Sequence, residues 1–384
     1  MTCMFPETEF RRRAQRLQQE MRQTCLDAVL LTGAHDIFYL SGFLTRFWES
    51  PTRPWYVVLP QSGDPVAVIP AIGADLMHQS WLTDIRTWQS PDPRDDGVSL
   101  LADALCAMIP PSGRLGVAMG PETQLRMPLA DYARLTERIA PRSVADATAV
   151  LHRVREIKSE AEIDRIRMTC TIAGRAFARV PEFARPGLPL AELFRRFQMT
   201  LLEEGADWVS YLAGGAGAGG YGDVISPASN HQLTAGDVLM LDTGAVCQGY
   251  FCDFDRNWAI GAATEDTRRA HSILVEATEE VIGGLRPGGT ASDLHAKIVA
   301  ELTRREATPL AGRLGHGVGI ALTEWPSLSP LDHRPLREGM VLAIEPGIEI
   351  APGRIMVHEE NVVLRASGAE CLSPAISTDI PVLT

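Results

Sequence analysis

Hydrophobic positions at the start of the chain recur at helical spacing. Phe10, Ala14, Leu17 and Met21 lie four, three and four residues apart and share one helical face. Short apolar runs follow. Residues 28–32 (AVLLT), 55–60 (WYVVLP), 65–70 (PVAVIP) and 115–119 (LGVAM) predict strands, and QSGD between the second and third is a hairpin signal. Residues 36–43 (DIFYLSGF) end in a glycine turn, and residues 100–109 predict a helix. Strands alternating with helices predict an α/β unit with a mixed or mostly parallel sheet. The character changes around 141–151. Residues 154–180 predict a long amphipathic helix with Ile157, Ile163, Ile166 and Ile172 roughly on one side, and Ser159 with Glu162 forms a capping-box pattern. A second helix is expected over 190–205, and the remainder is rich in strand patterns without low complexity or short repeats. The expected organisation is an N-terminal domain over 1–150 and a C-terminal domain over 151–384.

Composition narrows the class. A length of 384 residues suits two domains at about 150 residues each. Lys+Arg 36 against Asp+Glu 48 gives a net charge of −12, and an acidic surface repels phosphate backbones, which argues against a nucleic-acid partner. No apolar run is long enough to span a membrane, and the opening MTCMFPETEFRRR places charge where a secretory leader needs an apolar core. Seven scattered cysteines suit a reducing compartment better than a disulfide framework, so a cytoplasmic protein is expected.

One glycine run tests a cofactor reading. Gly215, Gly217 and Gly220 within GGAGAGG (214–220) formally match the dinucleotide fingerprint, but YGDVISP follows instead of a helix. The expected structure there is a flexible loop beside a pocket.

The C-terminal half carries the chemistry. A hairpin over 236–261 centred between Cys247 and Gln248 would set Asp242 opposite Asp253. A second hairpin over 340–366, turning at Pro352-Gly353, would set Glu345 opposite Glu360. Both Asp242 and Glu345 end apolar strand sequence (VLML, VLAI), where burial is expected. Opposed buried carboxylates are unfavourable unless a cation joins them, and a divalent metal is the natural remedy. His316, among Gly315, Gly317 and Gly319, suits a ligand that other groups approach closely. Asp242, Asp253, His316, Glu345 and Glu360 together would carry four negative charges, which two divalent ions neutralise. Cys247 and Cys252 lie nearby but are read as packing residues, since a hard-oxygen site does not need thiolates.

These motifs resemble the pita-bread metallopeptidase family, which includes methionine aminopeptidase, prolidase, aminopeptidase P and the metal-free creatinase. The family's D-x-G…G-Y-x-x-D corresponds to Asp242-Thr243-Gly244…Gly249-Tyr250-Phe251-Cys252-Asp253, and its G-H-G-x-G to Gly315–Gly319. Gly339-Met340…Glu345-Pro346-Gly347 and Glu360-Asn361-Val362-Val363 match the last two motifs. The resemblance implies an α/β creatinase-like N-terminal domain and an α+β pita-bread catalytic domain. It also implies two divalent ions (Mn, Fe, Co or Zn), with Asp242 on one, His316 and Glu345 on the other, and Asp253 and Glu360 bridging. A hydroxide between them would attack an amide, with Glu345 and His316 the expected catalytic residues and Glu345 shuttling the proton to the leaving nitrogen. The implied activity is that of an Xaa-Pro dipeptidase or aminopeptidase, acting on a short peptide or small molecule, in a homodimer.

The departures concern the substrate. Thr323, in Thr323-Glu324-Trp325-Pro326, stands where proline-directed members carry a second histidine. Asp255 replaces the threonine of D-x-T-R and would add charge or pair with Arg256, while His231 is displaced from the family's upstream histidine. After Tyr39-Leu40-Ser41-Gly42 comes a segment holding Arg46, Phe47, Trp48, Arg53 and Trp55, which in two-domain relatives reaches the partner's site; here it would suit a carboxylate-bearing molecule. Loss of these histidines leaves room for a second reading, turnover of a non-peptide such as ectoine, creatine or a sulfonium propionate. A third reading, of another class, is a non-catalytic binding module.

Overall fold

The computed structural model describes residues 5–50 and 53–384. The chain divides into two compact units, Met1–Arg155 and Glu156–Thr384.

In the first unit the helix Glu7–Gln23 buries Phe10, Ala14, Leu17 and Met21, the stripe read from the sequence. The strands are β1 (Ala28–Leu31), β2 (Tyr56–Pro60), β3 (Val66–Pro70), β4 (Asp84–Trp88), β5 (Arg114–Val117) and β6 (Ser143–Asp146). They form one six-stranded sheet in the order β4-β3-β2-β1-β5-β6. β2 and β3 pair antiparallel, as the QSGD turn requires, while β3–β4, β1–β5 and β5–β6 are parallel. The helices Val98–Met108 and Leu129–Ile139 cover one face, where Leu101, Leu105, Leu135 and Ile139 meet Leu30, Val58, Val68 and Val117. Each such side chain contributes about 1.5–3 kcal/mol on leaving water.

The helix expected over 154–180 is two helices, Thr148–Glu156 and Glu160–Ala178. Ser159 breaks it by capping the second: its hydroxyl accepts from Glu162 N at 3.3 Å, and the Glu162 carboxylate accepts from Ser159 N at 3.0 Å. The intervening Lys158 N donates to Gly339 O at 2.9 Å, so the chain bends to meet another segment. The helix Leu190–Glu203 follows as expected.

The second unit is built on β7 (Trp208–Ala218), β8 (Asp237–Cys247), β9 (Tyr250–Phe251), β10 (Phe254–Ile260), β11 (Thr308–Pro309), β12 (Gly315–Gly317), β13 (Glu324–Ser327), β14 (Val341–Ile344), β15 (Gly347–Ala351), β16 (Arg354–Val357), β17 (Glu360–Arg365), β18 (Gly368–Cys371) and β19 (Val382–Leu383). Three sheets result: β19-β10-β8-β7 with β9 on β8, β13-β12-β14-β17-β18, and β11-β15-β16. The helices Glu265–Gly284 and Ala291–Arg304 share one core with these sheets, through Leu274, Val281, Leu294 and Ile298 against Met240, Leu342, Ile344 and Val362.

The glycine run is mostly strand and not the expected flexible loop, with only Gly219 and Gly220 in the turn that follows. Gly214, Gly215 and Gly217 lie in β7 and pair with Leu241, Met240 and Val238 of β8. Their smallness serves close approach. A Cβ on Gly214 would meet Met240 O at 2.2 Å, and one on Gly217 would meet Gly220 O at 2.7 Å.

Both acidic hairpins form, each in a register different from the expected one. In the first, the turn is Gln248-Gly249, with φ of 52° and 81°, flanked by the pair Cys247 and Tyr250. Positive φ at both central residues suits a two-residue hairpin. Asp242 therefore opposes Asp255, not Asp253. In the second, Ala351 pairs with Arg354 at the Pro352-Gly353 turn, but an irregularity between Glu349 and Ala351 shifts the rest of the ribbon by one. Ile344, not Glu345, then opposes Glu360. Among the described residues, no helix is long and apolar enough to cross a membrane.

Gly214→Ala should destabilise the protein by about 2–3 kcal/mol, because a backbone carbonyl cannot move aside. Gly219→Ala, at φ 70° with nothing within 4 Å, should cost only about 1 kcal/mol. Urea denaturation midpoints of the two variants check this; equal losses would show that the β7–β8 approach is not the constraint.

Candidate metal centre

The two register shifts have opposite consequences. A shift of two residues keeps a side chain on its face, so Asp253 stays on the side of Asp242 and Asp255. A shift of one reverses the face, and it exchanges Glu359 for Glu360. Glu359, Asp253 and His316 each offer one ligand atom within 4.8 Å of the others, and all three are buried. Asp242 and Glu345 act on Asp253 or Glu359 electrostatically and complete the group.

Each member is held by its surroundings. Asn361, next along β17, accepts from Asp253 N at 2.9 Å and donates through Nδ2 to Asp253 O at 2.5 Å, which ties the end of the first hairpin to the second. His316 lies in β12, paired with Ala343 of β14. Its Nδ1 is 2.9 Å from Gly317 O. A carbonyl only accepts, so Nδ1 carries the proton and Nε2 is presented to Asp253 Oδ2 at 3.3 Å. Glu345 follows β14 directly and stands 3.6 Å from Arg313 Nε. Tyr211, on β7, lies against Asp242.

The electrostatics separate two groups of acids. Burial pushes the Asp242 and Glu359 carboxyls well above the usual carboxylate range, and their acidic neighbours push them further. Burial also raises Asp253, against the opposing pull of His316, and it raises Glu345. Burial opposes charge on His316, but Asp253 outweighs it and lifts the imidazole above its ordinary value. Glu360 is the contrast. Burial acts on it too, yet Arg256, His358 and Ser373 hold its carboxyl below the ordinary range. Arg256 Nη2 is 3.2 Å from Glu360 Oε2, His358 Nε2 is 3.3 Å from Oε1, and the Ser373 hydroxyl donates to Oε2.

Asp242 Oδ1 and Glu359 Oε1 are buried without a hydrogen-bond partner. Four crowded carboxylates, two with orphaned oxygens, and an imidazole whose far nitrogen is fixed on a carbonyl form a donor set that fits hard divalent cations. The thiol of Cys252 instead turns to Thr243 O and Ala245 O at 3.7 and 3.8 Å, away from such a role.

Among the residues singled out from the sequence, the structure gathers Asp242, Asp253, His316 and Glu345 and directs Glu360 to Arg256. The doubled Glu359-Glu360 was the available signal, since either glutamate fits the acidic motif. Asp255 does not pair with the Arg256 side chain. Its Oδ1 accepts from Glu359 N at 2.9 Å and is 3.7 Å from His358 Nδ1, and Arg256 donates to the Asp255 backbone carbonyl. Asp255 thus orients the segment that carries Glu359. Thr323 is half-buried just ahead of β13. His231 is exposed and bonds Asp237 Oδ2 at 2.8 Å. Arg46 pairs with Glu49. Trp48 lies under the Arg126 guanidinium at 5.1 Å, and Arg53 lies over the Phe47 ring at 5.2 Å, all within the first unit.

A buried ion pair that sequence reading missed braces the loop before Thr323. Lys158 Nζ and Glu324 Oε2 are 2.9 Å apart, each side chain 2 % exposed. Glu324 Oε1 also accepts from Ile320 N and Ala321 N, both at 3.1 Å. In the sequence Lys158 reads as one charge among many on a helix face.

Comparison with known proteins gives concordant results. Residues 164–366 match the family model for metallopeptidase family M24, and residues 13–157 match the creatinase/prolidase N-terminal domain. The chain is 29% identical over 343 residues to a protein named probable dipeptidase PepE of Mycobacterium bovis, covering 88% of this chain and 87% of that one. It is 25% identical over 359 residues to the Xaa-Pro dipeptidase of Pyrococcus horikoshii, covering 92% and 94%. The crystal structure of dipeptidase PepE from Mycobacterium ulcerans superposes with a TM-score of 0.82 at 28% identity, covering 99% of both chains. Recombinant prolidase from Thermococcus sibiricus shares the fold with a TM-score of 0.85 at 24% identity, covering 97% of this chain and 99% of that one.

Lys158→Met should destabilise the protein by about 3–5 kcal/mol, because it strands the buried Glu324 carboxylate. The double variant Lys158→Met/Glu324→Gln should recover part of that loss. Chemical denaturation checks both; a single variant as stable as the parent would remove the brace.

Proposed function

Since the chain belongs to metallopeptidase family M24 and is a metallohydrolase of two-domain creatinase/prolidase architecture, we propose that it cleaves the amide bond of short peptides of the Xaa-Pro dipeptide type, using two divalent ions (Mn, Fe, Co or Zn). The observation that carries this reading is the convergence of four carboxylates, Asp242, Asp253, Glu345 and Glu359, on His316, more negative charge than the Arg313 guanidinium 3.6 Å from Glu345 offsets. These five residues would hold the ions, with Glu359 in the place the sequence reading assigned to Glu360. Bound divalent ions would polarise the scissile carbonyl and acidify water for attack.

The chain's own groups divide the remaining work. Glu345 is 30% exposed at the edge of the group, so its carboxylate would take a proton from the attacking water and deliver it to the leaving nitrogen. His316, its tautomer set by Gly317 O, would orient without taking part in proton transfer. Asn361 would keep Asp253 in register with Glu359. Glu360 would act at a distance, holding Arg256 against the backbone of Asp255 and Glu359. The homodimer and the cytoplasmic setting belong to this proposal as well.

A second reading is favoured by two observations. Thr323 offers no imidazole to a peptide, and His231 is committed to Asp237. A small non-peptide amide would place fewer demands on those positions.

Metal analysis of protein purified without chelator should give close to two ions per chain. Glu359→Ala should lose at least one of them with activity, whereas Glu360→Ala should keep its metal and lose about 3–5 kcal/mol of stability by stranding Arg256. The reverse pattern would return the ligand role to Glu360. Glu345→Gln should lower kcat by about 10²–10⁴-fold with metal retained. Xaa-Pro dipeptides should be turned over; silence on all of them with turnover of ectoine, creatine or dimethylsulfoniopropionate would replace the peptidase reading. Bound metal with no turnover of either set would leave a binding module.

A further inference from the structure

A guanidinium stands at the edge of the carboxylate cluster. Arg313 Nε lies 3.6 Å from Glu345 Oε1, and its charge acts on Asp253, Glu345 and His316. The backbone beside it fixes this position. Leu314 N donates to Leu328 O at 2.9 Å, and Leu314 O accepts from Glu345 N at 3.2 Å, so Arg313 is held alongside the residue that follows β14.

The fork of this guanidinium is uncommitted. Its contact with Glu345 is longer than a hydrogen bond, and among the described residues no other acceptor pairs with it. Arg256, by contrast, spends its terminal nitrogens on the carbonyls of Asp255, Glu359 and Pro374 and on the Glu360 carboxylate. The Arg313 side chain is 37% exposed and that of Glu345 30%, so a molecule arriving from solvent can meet both.

Free N–H donors in a planar fork match a carboxylate. The role of Glu345 indicates which one. Glu345 would deliver a proton to the leaving nitrogen. In a dipeptide that nitrogen and the terminal carboxyl carbon are two bonds apart, about 2.5 Å. A group that binds this carboxylate must therefore neighbour the group that protonates the nitrogen, as Arg313 neighbours Glu345. In a longer peptide the same place holds an uncharged amide, which leaves the guanidinium unmatched.

We propose, on the strength of the peptidase reading above, that Arg313 is a specificity-determining residue: it binds the free C-terminal carboxylate of the substrate and so selects dipeptides over longer peptides.

An Xaa-Pro dipeptide and its C-terminal amide test this on the full metal-loaded chain, because they differ only in the charge at that place. The parent should prefer the acid by about 10–100-fold in kcat/KM, with the difference lying in KM. Arg313→Met should reduce the preference to about threefold or less. Arg313→Lys keeps the charge and loses the fork, so its preference should fall between the two; it carries the test if Arg313→Met does not fold. If Arg313 served only to tune Glu345, both substrates would slow alike and the preference would survive. That result, or a parent indifferent to acid and amide, would overturn the assignment. A parent silent on both substrates would sink the peptidase reading, and the assignment with it.

Discussion

The C-terminal unit is organised around a concentration of acidic groups that Arg313, beside Glu345, offsets only in part. Asp242, Asp253, Glu345 and Glu359 converge on one imidazole, and burial together with mutual repulsion raises the pKa of all four carboxyls. A folded protein tolerates such a group only where the surrounding structure over-determines it. Here two β-ribbons cross-linked by Asn361, and a short strand that fixes His316 against Gly317 O, supply that constraint. The same chain shows that it can neutralise an acid when the fold requires it, since Glu360, one residue away, meets Arg256, His358 and Ser373. Glu360, the first residue of β17, and Glu359, the residue just before it, thus take opposite parts. One remains available to a cation from solution, and the other anchors the strand.

This alternation makes the site sensitive to register. The turn at Gln248-Gly249 moves the pairing of the first ribbon by two residues from a hairpin centred at Cys247-Gln248, and the acids remain on their face. The irregularity between Glu349 and Ala351 moves the second ribbon by one, and the face reverses. Asp255 then acquires a role. Its carboxylate caps Glu359 N and approaches His358, so it holds the reversed segment in place. Around the centre, the buried Lys158–Glu324 pair fixes the loop ahead of Thr323. The loop that carries Thr323 is therefore braced by buried contacts.

Much of this was legible along the chain. Period-3.6 and period-2 patterns located the helices near 7–23, 98–108, 160–178 and 190–203, strands β1, β2, β3 and β5 and the two acidic hairpins, and the Ser159–Glu162 box located a helix start, but the helices Leu129–Ile139, Glu265–Gly284 and Ala291–Arg304 were not read. The readings that failed did so for identifiable reasons. The glycine run reads as a loop because a propensity argument cannot see that the Met240 carbonyl occupies the space a side chain would need. The long helix divides because Lys158 N is drawn to the distant Gly339.

By itself the sequence determined the two-domain organisation, the pairing of acidic ribbons and the residue types from which a hard-cation site can be made. These depend on local periodicity and on the chemistry of individual side chains, which the order of residues carries directly. Only the tertiary structure decided which of two neighbouring glutamates faces the cluster and that Arg256 serves Glu360 and not the Asp255 side chain. Each of these depends on a register set by a bulge or on contacts between distant segments, and a difference of one residue in strand pairing is enough to reverse the answer.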